Sequence, residues 1–140
     1  MVNENEQSTD VLALVDDLFF QAKLAETARK VGVKLKTVAT GAALMEALGG
    51  ALNQAPGAAS RGMGGGDLPR LIVVDLNARQ GALEVIEKLQ AGGNPVPVIG
   101  FLSHVQTDLA ARARSAGCKQ VLPRSSFTQN LSEILLQAKS

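Results

Sequence analysis

Three aspartates and a few polar groups follow apolar runs, and they are the residues whose types could do chemistry. Asp16 and Asp17 come directly after Val11-Leu12-Ala13-Leu14-Val15, and Asp75 closes the run Leu71-Ile72-Val73-Val74. A charge at the end of a strand buried on both faces must be solvated, paired or bound to a metal, so packing alone explains Asp75 poorly. Ser103 and His104 follow the run Pro97 to Leu102, and Arg124 and Ser125 follow Gln120-Val121-Leu122-Pro123. Three carboxylates brought together would repel and raise one another's pKa. A divalent cation would relieve that, and all-oxygen ligation with few carboxylates and several waters suits Mg²⁺. Arg124 could balance a bound anion or the acids themselves. Each residue also has a plainer role: Asp16 or Asp17 as a helix cap, Ser103 in a capping box with Gln106, Arg124 and His104 as surface groups.

These residues meet only if the apolar runs lie side by side, and the rest of the chain shows how. Short strand-like runs alternate with helical patterns five times. Val11–Val15, Lys34–Ala39, Pro97–Leu102 and Gln120–Leu122 read as strands, with Leu71–Asp75 as a doubly buried one. Helical spacing follows at Phe20, Leu24, Ala28 and Val31; at Leu44, Ala47, Leu48 and Ala51; and at Ala82, Val85, Ile86 and Leu89. It recurs over Val105–Ala116, with Leu109, Ala113 and Ala116 inward, and over Thr128–Lys139, with Leu131, Ile134, Leu135 and Ala138 inward. Strict alternation predicts an α/β fold: a doubly wound parallel sheet with helices on both faces. Every polar group named above then falls on the carboxyl edge of that sheet, where ligands bind in such folds.

The chain of 140 residues accommodates one domain, expected over residues 11–140 after a polar, disordered tail of residues 1–10. Asn53 to Arg70 is rich in Gly and Pro and reads as a flexible loop. No Lys-Ser or Lys-Thr pair follows it, and it leads into a strand, so it is not a phosphate loop. A net charge of +1, without a basic stripe, argues against nucleic acid, and no apolar stretch is long enough for a membrane span. The lone Cys118 and the lone His104 exclude an internal disulfide and a multi-histidine metal site. A cytoplasmic protein is the expectation, and no nucleophile-elbow pattern marks an enzyme.

The order of these features resembles that of response-regulator receiver domains of bacterial two-component systems. Val15-Asp16-Asp17 resembles the family's acid pair, and Ile72-Val73-Val74-Asp75 resembles the strand that ends in its phospho-accepting aspartate. Ala116-Gly117-Cys118-Lys119-Gln120-Val121-Leu122 resembles its segment leading into the fifth strand. The resemblance covers roughly Val11 to Ala138 and implies a flavodoxin-like (βα)5 fold with strand order 2-1-3-4-5. It implies a phosphoryl group transferred to Asp75 from a histidine kinase or phosphotransfer protein. It also implies Mg²⁺ on Asp17 and Asp75, with Asp16 more remote and the backbone carbonyl of Asn77 as a further ligand. Ser103 and Arg124 would meet the phosphoryl oxygens, and a downstream protein partner would dock on residues 105–138.

Three positions depart from the family pattern. Leu102 stands where an ungapped count expects Thr or Ser, Arg124-Ser125 replaces Lys-Pro, and Val121 replaces an aromatic residue. Two readings stay open: a stand-alone phosphorelay signalling protein, and a pseudo-receiver that keeps the fold as an unphosphorylated interaction module. A nucleotide- or flavin-binding enzyme ranks below both, since no phosphate loop opens a helix at the carboxyl edge.

Overall fold

Strands form where the apolar runs lack a helical period. They are β1 (Val11–Leu14), β2 (Leu35–Val38), β3 (Leu71–Asp75), β4 (Val98–Leu102) and β5 (Gln120–Pro123). The computed structural model describes residues 9–52, 68–78, 81–103 and 107–139. All strand pairs are parallel, in the order β2-β1-β3-β4-β5, so β1 and β3 are neighbours as the acid cluster requires. Leu14 lies opposite Val74, Asp75 opposite Phe101, and Leu102 opposite Pro123, which brings the carboxyl ends level. β1 and β3 are buried throughout, while β2 is half-buried as an edge strand must be.

Six helices cover the sheet among the described residues: α1 (Leu18–Val31), α2 (Gly41–Leu52), α3 (Ala82–Ala91), α4 (Thr107–Ala116), α5 (Arg124–Gln129) and α6 (Leu131–Gln137). Alternation along each strand divides the core in two. Val11, Ala13, Leu71 and Val73 pack with Phe20, Leu24 and Ala28 of α1, Phe127 of α5, and Leu131 and Leu135 of α6. Leu12, Leu14, Ile72 and Val74 pack with Leu44, Leu48, Val85, Ile86, Leu89 and Ala113 from α2, α3 and α4. Asp75 follows Leu71 and Val73 in phase, so it belongs to the side covered by α1, α5 and α6.

Local chemistry explains the stops. Gly32 ends α1 in the left-handed region at φ 80°, with its N–H shared between the carbonyls of Ala28 and Arg29. Gly117 ends α4 at φ 133°, and a Cβ there would come within 2.8 Å of Gln90 Oε1. No helix among the described residues is long and apolar enough to cross a membrane.

Several expectations need correction. The last helix does not begin at Thr128. It is two helices, starting at Arg124 and interrupted at Asn130, whose side-chain amide donates to the carbonyl of Ser126 at 2.9 Å. Pro123 stays in the edge strand and its extended backbone (φ −63°, ψ 150°) starts α5. Ala47 is exposed, because α2 turns Gly41, Leu44 and Leu48 inward. Asp10, expected in the tail, is buried: its carboxylate accepts from Lys34 N–H at 3.0 Å and its carbonyl from Arg70 N–H at 2.7 Å. Of the expected loop 53–70, residues 53–67 lie outside the described residues, and Leu68 packs against the core. His104 and residues 1–8 also lie outside the described residues.

Candidate functional site

The site is built by backbone geometry at the ends of β1, β3, β4 and β5. Asp17 is the N-cap of α1, extended at φ −94° and ψ 115°. Its Oδ1 accepts from the backbone N–H groups of Phe19 (2.9 Å) and Phe20 (3.3 Å). The capping role and the site role therefore fall on one residue, one oxygen each. Asp75 repeats the arrangement, since its Oδ1 accepts from the backbone N–H of Asn77 at 2.9 Å. The Oδ2 atoms of both acids face Arg124, at 3.8 Å from Nη1 for Asp17 and 3.7 Å from Nη2 for Asp75. Arg124 stands there because it is the first residue of α5, directly after β5.

Asp75 is 3% exposed. Burial raises its pKa above the ordinary aspartate value of 3.8; the Asn77 N–H and Arg124 lower it, and the charges of Asp16 and Asp17 raise it further. Asp16 thus acts on Asp75 through its charge, while Asp17 and Asp75 share the guanidinium. Among the described residues no group of three or more Asp, Glu, His or Cys side chains converges as a ready metal cage. The donor set that remains is the two hard Oδ2 oxygens of Asp17 and Asp75, which face the same guanidinium. It fits Mg²⁺, which binds through one or two carboxylates and keeps several waters.

Ser103 reaches the rim just past β4, and both its N–H (2.6 Å) and its hydroxyl (3.0 Å) bond to Asn77 Oδ1. The Asn77 side chain therefore ties the loop after β3 to the loop after β4. Sequence reasoning gave Asn77 only a backbone role; its place two residues after Asp75 was the available signal. Leu102 turns away into the core with α2, α3 and α4, so the first hydroxyl on this strand end is Ser103.

A second missed feature lies under Arg124. Phe101, in register with Asp75, stacks on Phe127 at 4.6 Å and meets Phe20 at 5.1 Å. Arg124 Cζ lies 4.6 Å from the Phe20 ring centroid. In the sequence Phe20 reads as part of a helix stripe and Phe101 as part of an apolar strand, Phe127 has no assigned role, and nothing in their spacing marks a cation platform. Leu18 (76%) and Phe19 (90%) are exposed large apolar residues beside Asp17, because Phe20 takes the inward position of the first turn.

The strand order and the helix-covered parallel sheet match the fold of solved structures. The chain is similar to the chemotaxis response regulator CheY4 of Vibrio cholerae (TM-score 0.68, 15% identity, covering 94% of this chain and 98% of that one). The fold is that of a response-regulator receiver domain. A receiver domain protein from Clostridium thermocellum matches at TM-score 0.68 and 13% identity, covering 93% of each chain. The phosphorylated cyanobacterial phytochrome response regulator RcpA matches at TM-score 0.65 and 18% identity, covering 93% of this chain and 90% of that one. No family model matches the sequence, and no curated protein does.

The raised pKa of Asp75 has a consequence for stability. Between pH 3.8 and the higher folded value, the folded state holds the proton that the unfolded chain has released, so stability falls as pH rises through that window. Above the window the buried charge is a fixed cost. Asp75→Asn should therefore raise the thermal midpoint by about a few degrees at pH 7.5 without divalent cations, and the gain should shrink as the pH approaches 4. Scanning calorimetry of both proteins across that range checks this; a variant less stable than wild type at pH 7.5 contradicts it.

Proposed function

We propose that this protein is a receiver-like signalling protein of a two-component phosphorelay that accepts a phosphoryl group on Asp75. The observation that carries this reading is the state of that carboxylate. It is buried at the end of a central strand, oriented by one backbone N–H, and its other oxygen faces a cation at the rim.

Phosphoryl transfer asks a protein mainly for position and charge compensation. Asp75 supplies the nucleophilic oxygen. Its bond to phosphorus forms as the bond from phosphorus to the donor breaks; with a phosphohistidine donor, the leaving imidazole nitrogen is then protonated. Arg124 offers terminal N–H groups to the phosphoryl oxygens, and Ser103, held at the rim by Asn77, offers a hydroxyl. Asp17 and Asp75, with the Asn77 carbonyl, would hold Mg²⁺, which supplies positive charge against the phosphoryl oxygens. A cytoplasmic setting accords with this chemistry, and the chain acts as a phosphorylated signal carrier rather than a turnover enzyme.

A small phosphodonor with Mg²⁺ should add one phosphoryl group to wild type and none to Asp75→Asn, read by intact mass, and hydroxylamine should remove it. Mg²⁺ alone should raise the wild-type melting temperature by mass action. Asp17→Asn should lose that rise while keeping its helix cap, since Asn caps as well as Asp. No mass gain with any donor, with the fold and the Mg²⁺ response intact, would reject the phosphorelay reading. It would leave the interaction module that is not phosphorylated, which the burial of Leu102 in the core favours.

The partners proposed are proteins on two surfaces. Leu18 and Phe19 form an apolar lip beside the acids, suited to a histidine kinase or phosphotransfer protein. The downstream partner docks on α4, β5 and α6, where Arg112, Arg114, Lys119 and Gln120 are exposed. Phe19→Ser should slow transfer from a phosphohistidine protein several-fold and leave transfer from a small donor unchanged. Charge reversal at Arg112 and Arg114 should weaken downstream capture without altering either rate. Equal slowing with both donors would take the first surface out of the account, and unchanged capture would relocate the second.

A further inference from the structure

Strand order also gathers cations at the amino edge of the sheet, opposite Asp75. Lys34 comes directly before β2, Arg70 before β3 and Lys119 before β5, and all three are exposed. Their backbone N–H groups are tied to that edge: Lys34 donates to Asp10 Oδ2 (3.0 Å), Arg70 to the Asp10 carbonyl (2.7 Å) and Lys119 to the Val98 carbonyl (2.8 Å). Neighbouring strands lie about 4.8 Å apart, so the four spacings from β2 to β5 spread this row over about 19 Å. Each helix of a parallel sheet returns to the same edge to start the next strand. Arg29 and Lys30 lie in the last turn of α1, Lys88 in that of α3 and Arg114 in that of α4. Lys139 follows α6, and its Nζ stands 3.1 Å from where a Cβ on Gly32 would be.

Cations in a last turn complement the helix macrodipole, which accounts for Arg29, Lys30, Lys88 and Arg114. It does not account for Lys34, Arg70 or Lys119, which precede strands. Within a turn of this edge, the acids among the described residues are the buried Asp10, Glu26 paired with Lys30 at 3.8 Å, and Glu87. The edge is therefore strongly positive in a chain of net charge +1, and no run in the sequence shows it, because the sheet assembles it from distant segments. These cations spread in two dimensions, along the strand starts and outward over the helices on both faces. A linear polyanion meets one such row at a time, whereas a plane of negative charge meets them all. Most are lysines, point charges suited to diffuse attraction more than to bidentate recognition. Leu136, 48% exposed in the last turn of α6, adds an apolar contact at the same edge. We propose that the amino edge of the sheet is a docking face for an anionic lipid bilayer, held by Coulomb attraction to the headgroups. Docked this way, the chain turns Asp75 and the carboxyl edge away from the bilayer and leaves them open to protein partners. The proposal goes beyond the phosphorelay reading, uses none of the residues of that site, and stands or falls apart from it.

Sedimentation with lipid vesicles tests this. In about 50 mM salt, wild type should bind vesicles of phosphatidylcholine containing about 30% phosphatidylglycerol and leave pure phosphatidylcholine vesicles unbound. About 0.5 M salt should release it, since screening shortens the attraction. Lys34→Glu should weaken binding about fivefold or more, and Arg70→Glu in the same chain should weaken it further. Lys23→Glu, the same reversal midway along α1, should stay within about twofold of wild type. Equal loss in Lys34→Glu and Lys23→Glu would mean that net charge alone is at work, and overturns the proposal. So does wild-type binding that ignores lipid charge or is missing at low salt, and this outcome decides even should the variants fail to fold. Displacement from the vesicles by short duplex DNA at equal phosphate concentration also overturns it and assigns the edge to nucleic acid.

Discussion

The structure depends on the cost of keeping a carboxylate out of water at the end of β3. Desolvation pushes Asp75 toward its protonated form, and the neighbouring acids add to the push. The rim is arranged to oppose this. A backbone N–H from Asn77 takes one oxygen, and the Arg124 guanidinium stands near the other. Asp17 is treated alike, with two backbone N–H groups on one oxygen and the same guanidinium facing the other. Both acids are thus oriented by main chain and balanced by one side chain. That leaves two oxygens pointing together, which is what a metal ion or a phosphoryl group needs.

Most of the fold was legible in the sequence because it rests on periodicity. β1 is apolar at every position and β3 from Leu71 to Val74, and only a strand covered on both faces tolerates that. The stripe Ala82, Val85, Ile86 and Leu89 is buried as its spacing requires. The errors fell where pattern and packing separate. The helix after β5 was expected to begin only at Thr128, past the break at Pro123; it starts at Arg124, with Phe127 buried in its first turns. Ala47 looked inward by its apolar character, and Leu44 and Leu48 took the face instead.

The site was legible by residue type and not by arrangement. Acids after two strands and a cation after a third pointed to one rim, and strand order brings β1 and β3 together there. No sequence rule distinguishes a phenylalanine that only fills a core from one that carries a guanidinium, so the platform of Phe20 and Phe101 was hidden. Likewise Asn77 and Ser103 are far apart in the chain, and only the parallel pairing of β3 with β4 makes them partners. Identities of 13–18% to solved receivers with TM-scores of 0.65–0.68 fit this picture.

Asp75 is a carboxylate kept from water and balanced by the rim, and its titration reports that balance. Carboxyl ¹³C NMR of wild type, followed against pH without divalent cations, should place the Asp75 midpoint above the ordinary value of 3.8. Saturating Mg²⁺ should then lower it, since a cation on the carboxylate favours the charged form. A midpoint at or below 3.8, or one indifferent to Mg²⁺, would contradict the account.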